Sequence, residues 1–372
     1  MRVAQIIDNV RVGGAQKMQI VLAEVMYGRD VQSTLISLEE NRQQTETPDI
    51  LRQFGVETSY FPGNSLLSIG RLYQVTNFLR QGQFDLIHTH LTYANIIGTI
   101  AGWITGIPVI ASFRSIKPDP NPLRARLEAF LLRYGSTHLM AVGQATATAH
   151  GPRVGNKPIV PIPNSVTLNP ALPAEKRKAL RRTLVGDPER LILIAVGRLI
   201  PLKGFDDLLD AFACVHQQFP SAVLLIAGHG PVHEQLSEQI QRLGLTEHAR
   251  LLGRRDDISN LLAASDIFVN SSHWEGLSNA LLEAMATGLP VVATNAGDTP
   301  SVVIQGTGLI VPAKDPHALA SALLTLLNNP DQRHTFGIAA REHIACEYNL
   351  TRWSEQILAL YHSALNGRQE HP

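Results

Sequence analysis

Short apolar runs alternate with segments of helical period along almost the whole chain, and the alternation occurs twice. A parallel sheet buried on both faces needs such runs, and each crossover between its strands needs a helix. The first half carries runs at Val3–Ile7, Ser33–Leu38, Asp85–His88, Val109–Ser112 and Leu139–Val142, with helical periods near Ala15–Met26, Leu66–Leu79 and Leu123–Arg133. The segment Ile159–Pro173 is dense in proline and turn residues, as a connection between domains is. The pattern then restarts, with strands at Leu191–Val196, Val223–Ala227, Asp266–Asn270 and Val291–Thr294 and helices near Asp206–Gln217, Glu234–Leu243 and Ser278–Ala286. The chain reads as α/β, with two doubly wound halves divided at residues 168/169. Each half is long enough to bury a core without disulfides or structural metal.

Charge and cysteine usage narrow the function classes. The 32 Lys and Arg balance the 32 Asp and Glu, which argues against a general polyanion binder and so against nucleic acid as a partner. Cys214 and Cys346 are far apart in helix-like sequence, as in a reduced, cytoplasmic protein, and Asp8 interrupts the N-terminus before a secretory apolar region forms. Residues 91–113 carry no charge, but Gly98, Gly102, Gly106 and Pro108 divide them into a buried helix and a strand rather than a membrane span. Residues 1–168 carry a charge of +4 and the remainder −4. Much of the excess lies in Arg114, Lys117, Arg124, Arg126, Arg133, Arg153 and Lys157, beside a stripe of Leu123, Leu127, Phe130 and Leu131. A helix resting peripherally on the inner membrane face and a solvated face over a buried stripe both fit this pattern.

Two segments carry the chemistry. In His273–Ala286, Ser278 suits a helix N-cap, Leu277, Ala280, Leu281, Ala284 and Met285 recur at helical spacing, and Asn279 and Glu283 share another face. Ligands of open parallel sheets sit at the carboxyl ends of strands, so this helix start suits a phosphate, with Glu283 roughly 7–8 Å further along the axis, in reach of an attached sugar. Glu275 lies in the loop itself. After the strand Leu191–Val196, Gly197-Arg198 and Lys203-Gly204 place two cations where a diphosphate could be clamped without a metal. The plainer readings, an exposed helix glutamate, a loop charge and two surface cations, remain open for each residue taken singly.

Together, Gly197-Arg198, Lys203-Gly204, Glu275 and Glu283, and Gly288-Leu289-Pro290-Val291-Val292-Ala293-Thr294 resemble the retaining GT-B glycosyltransferases of the large group four, the glycosyl transferases group 1. Gly13-Gly14-Ala15-Gln16 is similar to that family's glycine loop, Asp85–His90 to its acceptor-domain strand end, and Ile162-Pro163-Asn164 to its linker. The resemblance implies two Rossmann-like domains facing each other across a cleft, acceptor-binding over 1–168 and donor-binding over 169–350, with a C-terminal helix at 351–366 returning to the first. It implies that Arg198 and Lys203 neutralise the leaving diphosphate of a nucleotide sugar, a UDP sugar being favoured. Glu283 would bind the ribose and Glu275 the sugar hydroxyls, within a donor set that includes Gly13, Gly14, Gly276, Leu277, Ser278 and Asn279. The loops holding Gly230 and Arg254 resemble those around the base. His88, His90 and Arg114 fall on the acceptor side, the acceptor being a sugar or a lipid-linked sugar of polysaccharide or glycolipid synthesis. No cofactor and no metal are implied; attack and departure share one face of the sugar, and the departing phosphate oxygen helps take the acceptor proton.

Two positions depart from the family pattern. Arg114 stands in Ala111-Ser112-Phe113-Arg114-Ser115 where a histidine is frequent, and an arginine stays protonated, so it suits a phosphate rather than a base's role. Gly297-Asp298-Thr299-Pro300-Ser301 lacks the glutamate of Gly-Gly-x-Pro-Glu. A metal at His88 and His90 lacks a third ligand, and Asp256-Asp257 suits the cap of a helix over Ile258–Ala264. An epimerase or phosphorylase of the same fold, and a non-enzymatic nucleotide-sugar binder, are the alternatives. A dinucleotide oxidoreductase is disfavoured because Val12–Gln16 lacks the spaced three-glycine fingerprint.

Overall fold

The computed structural model describes residues 1–366 except 12, 43, 64–67 and 169. Leu66 and Leu67, the expected start of one helix, and the polar tail over 367–372 lie outside the described residues. The chain divides into two compact units, residues 1–164 with 350–372, and residues 165–349. The division falls before the 168/169 position expected from sequence.

In the first unit seven strands form one parallel sheet: β1 (Arg2–Ile7), β2 (Gln32–Ser37), β3 (Glu57–Tyr60), β4 (Leu86–His90), β5 (Val109–Phe113), β6 (His138–Ala141) and β7 (Ile159–Pro161). Their spatial order is β3-β2-β1-β4-β5-β6-β7. The second unit has six: β8 (Ile192–Val196), β9 (Val223–Ala227), β10 (Ala249–Gly253), β11 (Ile267–Asn270), β12 (Val291–Thr294) and β13 (Gly308–Val311), in the order β10-β9-β8-β11-β12-β13. Every pairing is parallel, and each order reverses once, between β1 and β4 and between β8 and β11. These are the Rossmann-like doubly wound sheets expected from the alternation of runs.

Burial explains why the runs become strands. All five residues of β4, β5 and β9 are buried, so both faces of each strand need apolar cover. In the first unit Val3 and Leu86 pack with Met18, Leu22 and the C-terminal helix Leu350–Asn366. Their neighbours Ala4, Ile6 and Ile87 pack with Val75, Leu79, Ile97 and Ala101 of the helices Ile69–Gln81 and Thr92–Thr105, because successive side chains of a strand face opposite ways. The uncharged segment 91–113 is indeed a helix, Thr92–Thr105, ended by Gly106 at φ 70°, and then β5. Among the described residues no helix is long and apolar enough to cross a membrane.

Several local expectations change. Ile159–Pro161, read as linker, pairs with β6 as an edge strand, a place where proline costs no ladder bond. The strands β3, β10 and β13 and the helix Ala174–Val185 are additional. Helix Ile258–Ala264 does follow Asp257, but the Asp257 carboxylate is held by Arg255, at 2.6 and 2.8 Å, instead of capping that helix.

Candidate functional site

In the second unit the candidates gather at the carboxyl ends of strands around the point where the sheet order reverses. There neighbouring crossovers diverge and leave a crevice. The loop leaving β8 carries exposed Arg198, then a short 3-10 turn, Pro201–Lys203, stopped by Gly204 at φ 60°. The loop leaving β11 carries Ser271, Ser272 and Glu275 and leads into helix Asn279–Ala286, whose N-cap Ser278 accepts a hydrogen bond from the Leu281 N–H. Ser271 Oγ donates to the Lys203 carbonyl at 2.9 Å and the His273 N–H to the Leu202 carbonyl at 2.8 Å, so the two loops are tied by one side-chain and one backbone hydrogen bond.

That tie brings Lys203 and Glu275 into an ion pair, with side chains only 20% and 11% exposed. Ser272 Oγ donates to the same Glu275 oxygen at 2.9 Å. A cation and a carboxylate, already oriented at a strand end, can accept a diphosphate on one side and hydroxyls on the other. Glu283 is half-buried on the helix, whose inner face buries Leu281, Ala284 and Met285 completely. Gly276 accepts from the Asp298 N–H at 3.0 Å, and a Cβ on Gly297, at φ 56°, would sit 2.0 Å from the Glu275 carbonyl oxygen. The segment that departs from the family pattern therefore supports the backbone of Glu275 and Gly276.

The loops holding Gly230 and Arg254 also meet: the Gly228 N–H donates to the Gly253 carbonyl at 2.8 Å, next to exposed Arg254. Gly230 lies so close to the loop after β8 that a Cβ would come within 2.1 Å of the Leu199 carbonyl oxygen. Among the described residues, Asp206, Asp207 and His273 are the group whose ligand atoms lie within 4.8 Å of one another. His273 Nε2 is 2.7 Å from Asp207 Oδ2.

The first unit places its candidates at the equivalent reversal. Gly13 precedes helix Gly14–Met26, and Gln16 of that helix donates to the Asn9 carbonyl at 3.0 Å, folding the glycine loop back over the end of β1. His88 and His90 on β4 are 1% and 0% exposed, beneath Arg114 rather than presented to solvent. His90 bonds Gln5 Oε1 and Arg114 Nη2, both at 2.9 Å. His88 bonds Tyr361 Oη at 2.9 Å and Ser112 Oγ at 2.6 Å. With all four ring nitrogens engaged, neither imidazole has a lone pair to give a metal, and desolvation holds both pKa values well below the ordinary histidine range, so both are neutral. Arg114 Nη1 also donates to Asn164 Oδ1 at 3.0 Å. Burial lowers the Arg114 pKa to about 10, which still leaves it charged at neutral pH.

Sequence reading did not find Gln5, Tyr361, Ser272 or Asp298. Gln5 is one amide in a buried strand and Tyr361 one ring on the buried face of an amphipathic helix, and nothing in their local sequence marks them.

Comparisons with known proteins bear on this geometry. Residues 176–343 match the family model of glycosyl transferases group 1, and residues 12–169 that of glycosyltransferase family 4. A phosphatidyl-myo-inositol mannosyltransferase of Mycobacterium leprae is 30% identical over 374 residues, covering 94% of this chain and 92% of that protein. An Escherichia coli UDP-Gal:alpha-D-GlcNAc-diphosphoundecaprenol alpha-1,3-galactosyltransferase is 26% identical over 362 residues, covering 94% and 93%. Among solved structures, Anabaena HepE in complex with UDP superposes with a TM-score of 0.86 at 24% identity, over 98% of this chain and 100% of that one.

Proposed function

The chain belongs to the group 1 glycosyltransferases, and from that membership we propose that it transfers a sugar from a UDP sugar to an acceptor hydroxyl, with retention at the anomeric carbon. Arg198 and Lys203 hold the diphosphate, Glu283 the ribose and Glu275 the sugar hydroxyls, while Gly230 and Arg254 line the base. The two cations take up the charge that develops on the leaving diphosphate, the main requirement when no protein nucleophile takes part, and no metal or cofactor is needed. The departing phosphate oxygen then receives the acceptor proton.

The observation that carries this reading is the meeting of Lys203 and Glu275 from opposite sides of the β8/β11 reversal, beside the N-terminus of the helix that bears Glu283. On the first unit Arg114 is the acceptor-side cation, binding a phosphate of a lipid-linked sugar. Two relatives support that acceptor class, since their names specify a phosphatidylinositol and a diphosphoundecaprenol substrate. Exposed apolar and basic residues of helix Pro122–Gly135 support action against an anionic bilayer.

Thermal melting with UDP, GDP, ADP and their sugar conjugates tests the donor. Ligand at about 100 times its Kd adds about 2.7 kcal/mol to the folded state, so the midpoint should rise by several degrees with the uridine ligands, equally in EDTA. Glu283→Ala should abolish most of the shift. No shift with any nucleotide, in protein that melts cooperatively, would overturn the assignment.

A further inference from the structure

Seven side chains of the first unit form one chain of hydrogen bonds, and one direction along it gives every link a donor and an acceptor. A guanidinium only donates, so His90 Nδ1, 2.9 Å from Arg114 Nη2, accepts. Neutral His90 then carries its proton on Nε2 and donates to Gln5 Oε1 at 2.9 Å, and Gln5 Nε2 donates to Tyr361 Oη at 2.9 Å. At the other end a Ser112 hydroxyl turned to Met140 Sδ, 3.7 Å away, leaves its oxygen to accept from His88 Nε2 at 2.6 Å. His88 Nδ1 is left as the acceptor for the Tyr361 hydroxyl at 2.9 Å. The two directions agree at Tyr361, which accepts from Gln5 and donates to His88.

The residue that heads this chain is a cation. Among the described residues no carboxylate forms an ion pair with Arg114; its partners Asn164 and His90 are neutral acceptors that orient the guanidinium without cancelling its charge. Such a group is prepared for an anion. Its orientation depends on the His90 ring, that ring on the Gln5 carbonyl oxygen, and the amide on a hydroxyl carried by helix Leu350–Asn366.

We propose that Tyr361 is a positioning residue for Arg114, acting through Gln5 and His90 to hold the guanidinium in the orientation that receives a phosphate. The proposal rests on the acceptor-side reading of Arg114 given above. Tyr361→Phe keeps the ring, which meets the His88 ring edge-on with centroids 5.6 Å apart, and deletes only the oxygen. Gln5 Nε2 and His88 Nδ1 then lose their partners, the amide is free to turn, and an amide turned with Nε2 toward His90 gives up the bond that holds the His90 ring beneath Arg114.

The test is a double-mutant cycle in the 372-residue chain, reading the release of UDP from UDP-glucose or UDP-galactose with undecaprenyl-diphosphate-linked N-acetylglucosamine as acceptor, less the release without acceptor. Arg114→Gln should lower kcat by about 100-fold. Tyr361→Phe should lower it by about tenfold, with the nucleotide-induced melting shift intact. The double variant should be no slower than Arg114→Gln alone, because a residue that acts through Arg114 has nothing to add once Arg114 is gone. Full activity in Arg114→Gln would overturn the reading of Arg114. A slow Arg114→Gln beside a fully active Tyr361→Phe, or losses that multiply in the double variant, would overturn the positioning role alone. If Tyr361→Phe does not fold, Gln5→Met breaks the same chain one link nearer Arg114 and takes its place in the cycle. A spectroscopic readout needs no substrate: in 15N-histidine spectra at neutral pH, Tyr361→Phe should move the His90 signals as well as those of His88. A change confined to His88, the ring that Tyr361 touches, would break the proposed chain.

Discussion

Asp8, at the carboxyl end of β1, shows how one residue ties a strand end to a helix start. Its Oδ1 accepts from the Ala94 N–H at 2.7 Å, at the N-terminus of helix Thr92–Thr105, just past Leu91 at φ 78°. Burial pushes its carboxyl up to about 7, outweighing the helix N–H groups that favour the charged form, and Glu128 and Glu39 add to the rise. Unfolded, the group titrates near 4. The folded state therefore holds an extra proton between these values, and the stability that Asp8 contributes below about pH 4 is lost as pH rises through 7. Asp8→Asn keeps the acceptor oxygen without the titration. Its stability relative to wild type should grow between pH 5 and 7 by about 1.4 kcal/mol per pH unit; parallel melting profiles across that range would show that Asp8 is ionised in the folded state too. At this scale the site was only half legible. Lys203 and Glu275 stand out singly as a cation and a carboxylate after strands, but their pairing depends on two loops 72 residues apart. Gln5 and Tyr361, 356 residues apart, carry no local signal at all.

Elements were legible in proportion to their burial. The central strands, apolar on both faces, were found from sequence, whereas the four that were not, β3, β7, β10 and β13, are the four sheet edges. Each buries at most one residue, and the apolar runs among them, such as Leu309–Val311, are short. Helix Pro122–Gly135 is the expected one, with Asn121 accepting from the Leu123 and Arg124 N–H groups as its cap, and of its expected apolar stripe Leu131 is buried while Leu123 and Phe130 are exposed. Its inner face is Ala125, Glu128, Leu131 and Leu132, while Leu123, Phe130 and Tyr134 are 73%, 57% and 58% exposed beside exposed Arg126 and Arg133. The only acid on the helix, Glu128, is buried against Asn95 and Arg153. An outward row of aromatic, aliphatic and cationic side chains is complementary to an anionic bilayer, where each basic residue near the surface adds about 1 kcal/mol. The chain should therefore co-sediment with vesicles containing anionic phospholipid at low salt, and much less with neutral vesicles or at high salt, where the attraction is screened. Replacing Leu123 and Phe130 by serine should abolish binding; retention on anionic vesicles by that variant would show that the helix is not the contact.

At the scale of the whole molecule the two units differ in how they are cut from the chain. The second unit is continuous, and its main core, from Leu191 to Phe336, draws on no residue of the first. Its ends are held together, since the Val166 N–H donates to the Tyr348 carbonyl at 3.1 Å. The first unit is discontinuous: Trp353, Ile357, Leu360, Tyr361 and Ala364 of the last helix are buried among Val3, Met18, Leu22, Met26 and Ile162. Each large apolar side chain so buried contributes about 1.5–3 kcal/mol, and the set approaches the entire net stability of a domain, about 5–15 kcal/mol. The chain can complete its first unit only after the second has been made. A fragment of residues 165–349 should therefore melt cooperatively and keep the uridine-nucleotide shift, whereas a chain ending at residue 349 should keep that transition and lose the native fold of residues 1–164. Amide hydrogen exchange on the truncated chain separates the outcomes: fast exchange across β1 and β4 beside slow exchange across β8 and β11 is expected. Protection of β1 and β4 without residues 350–366 would mean that the first unit's other helices suffice to close its core, and that the last helix serves the hydrogen-bond chain to Arg114 rather than the fold.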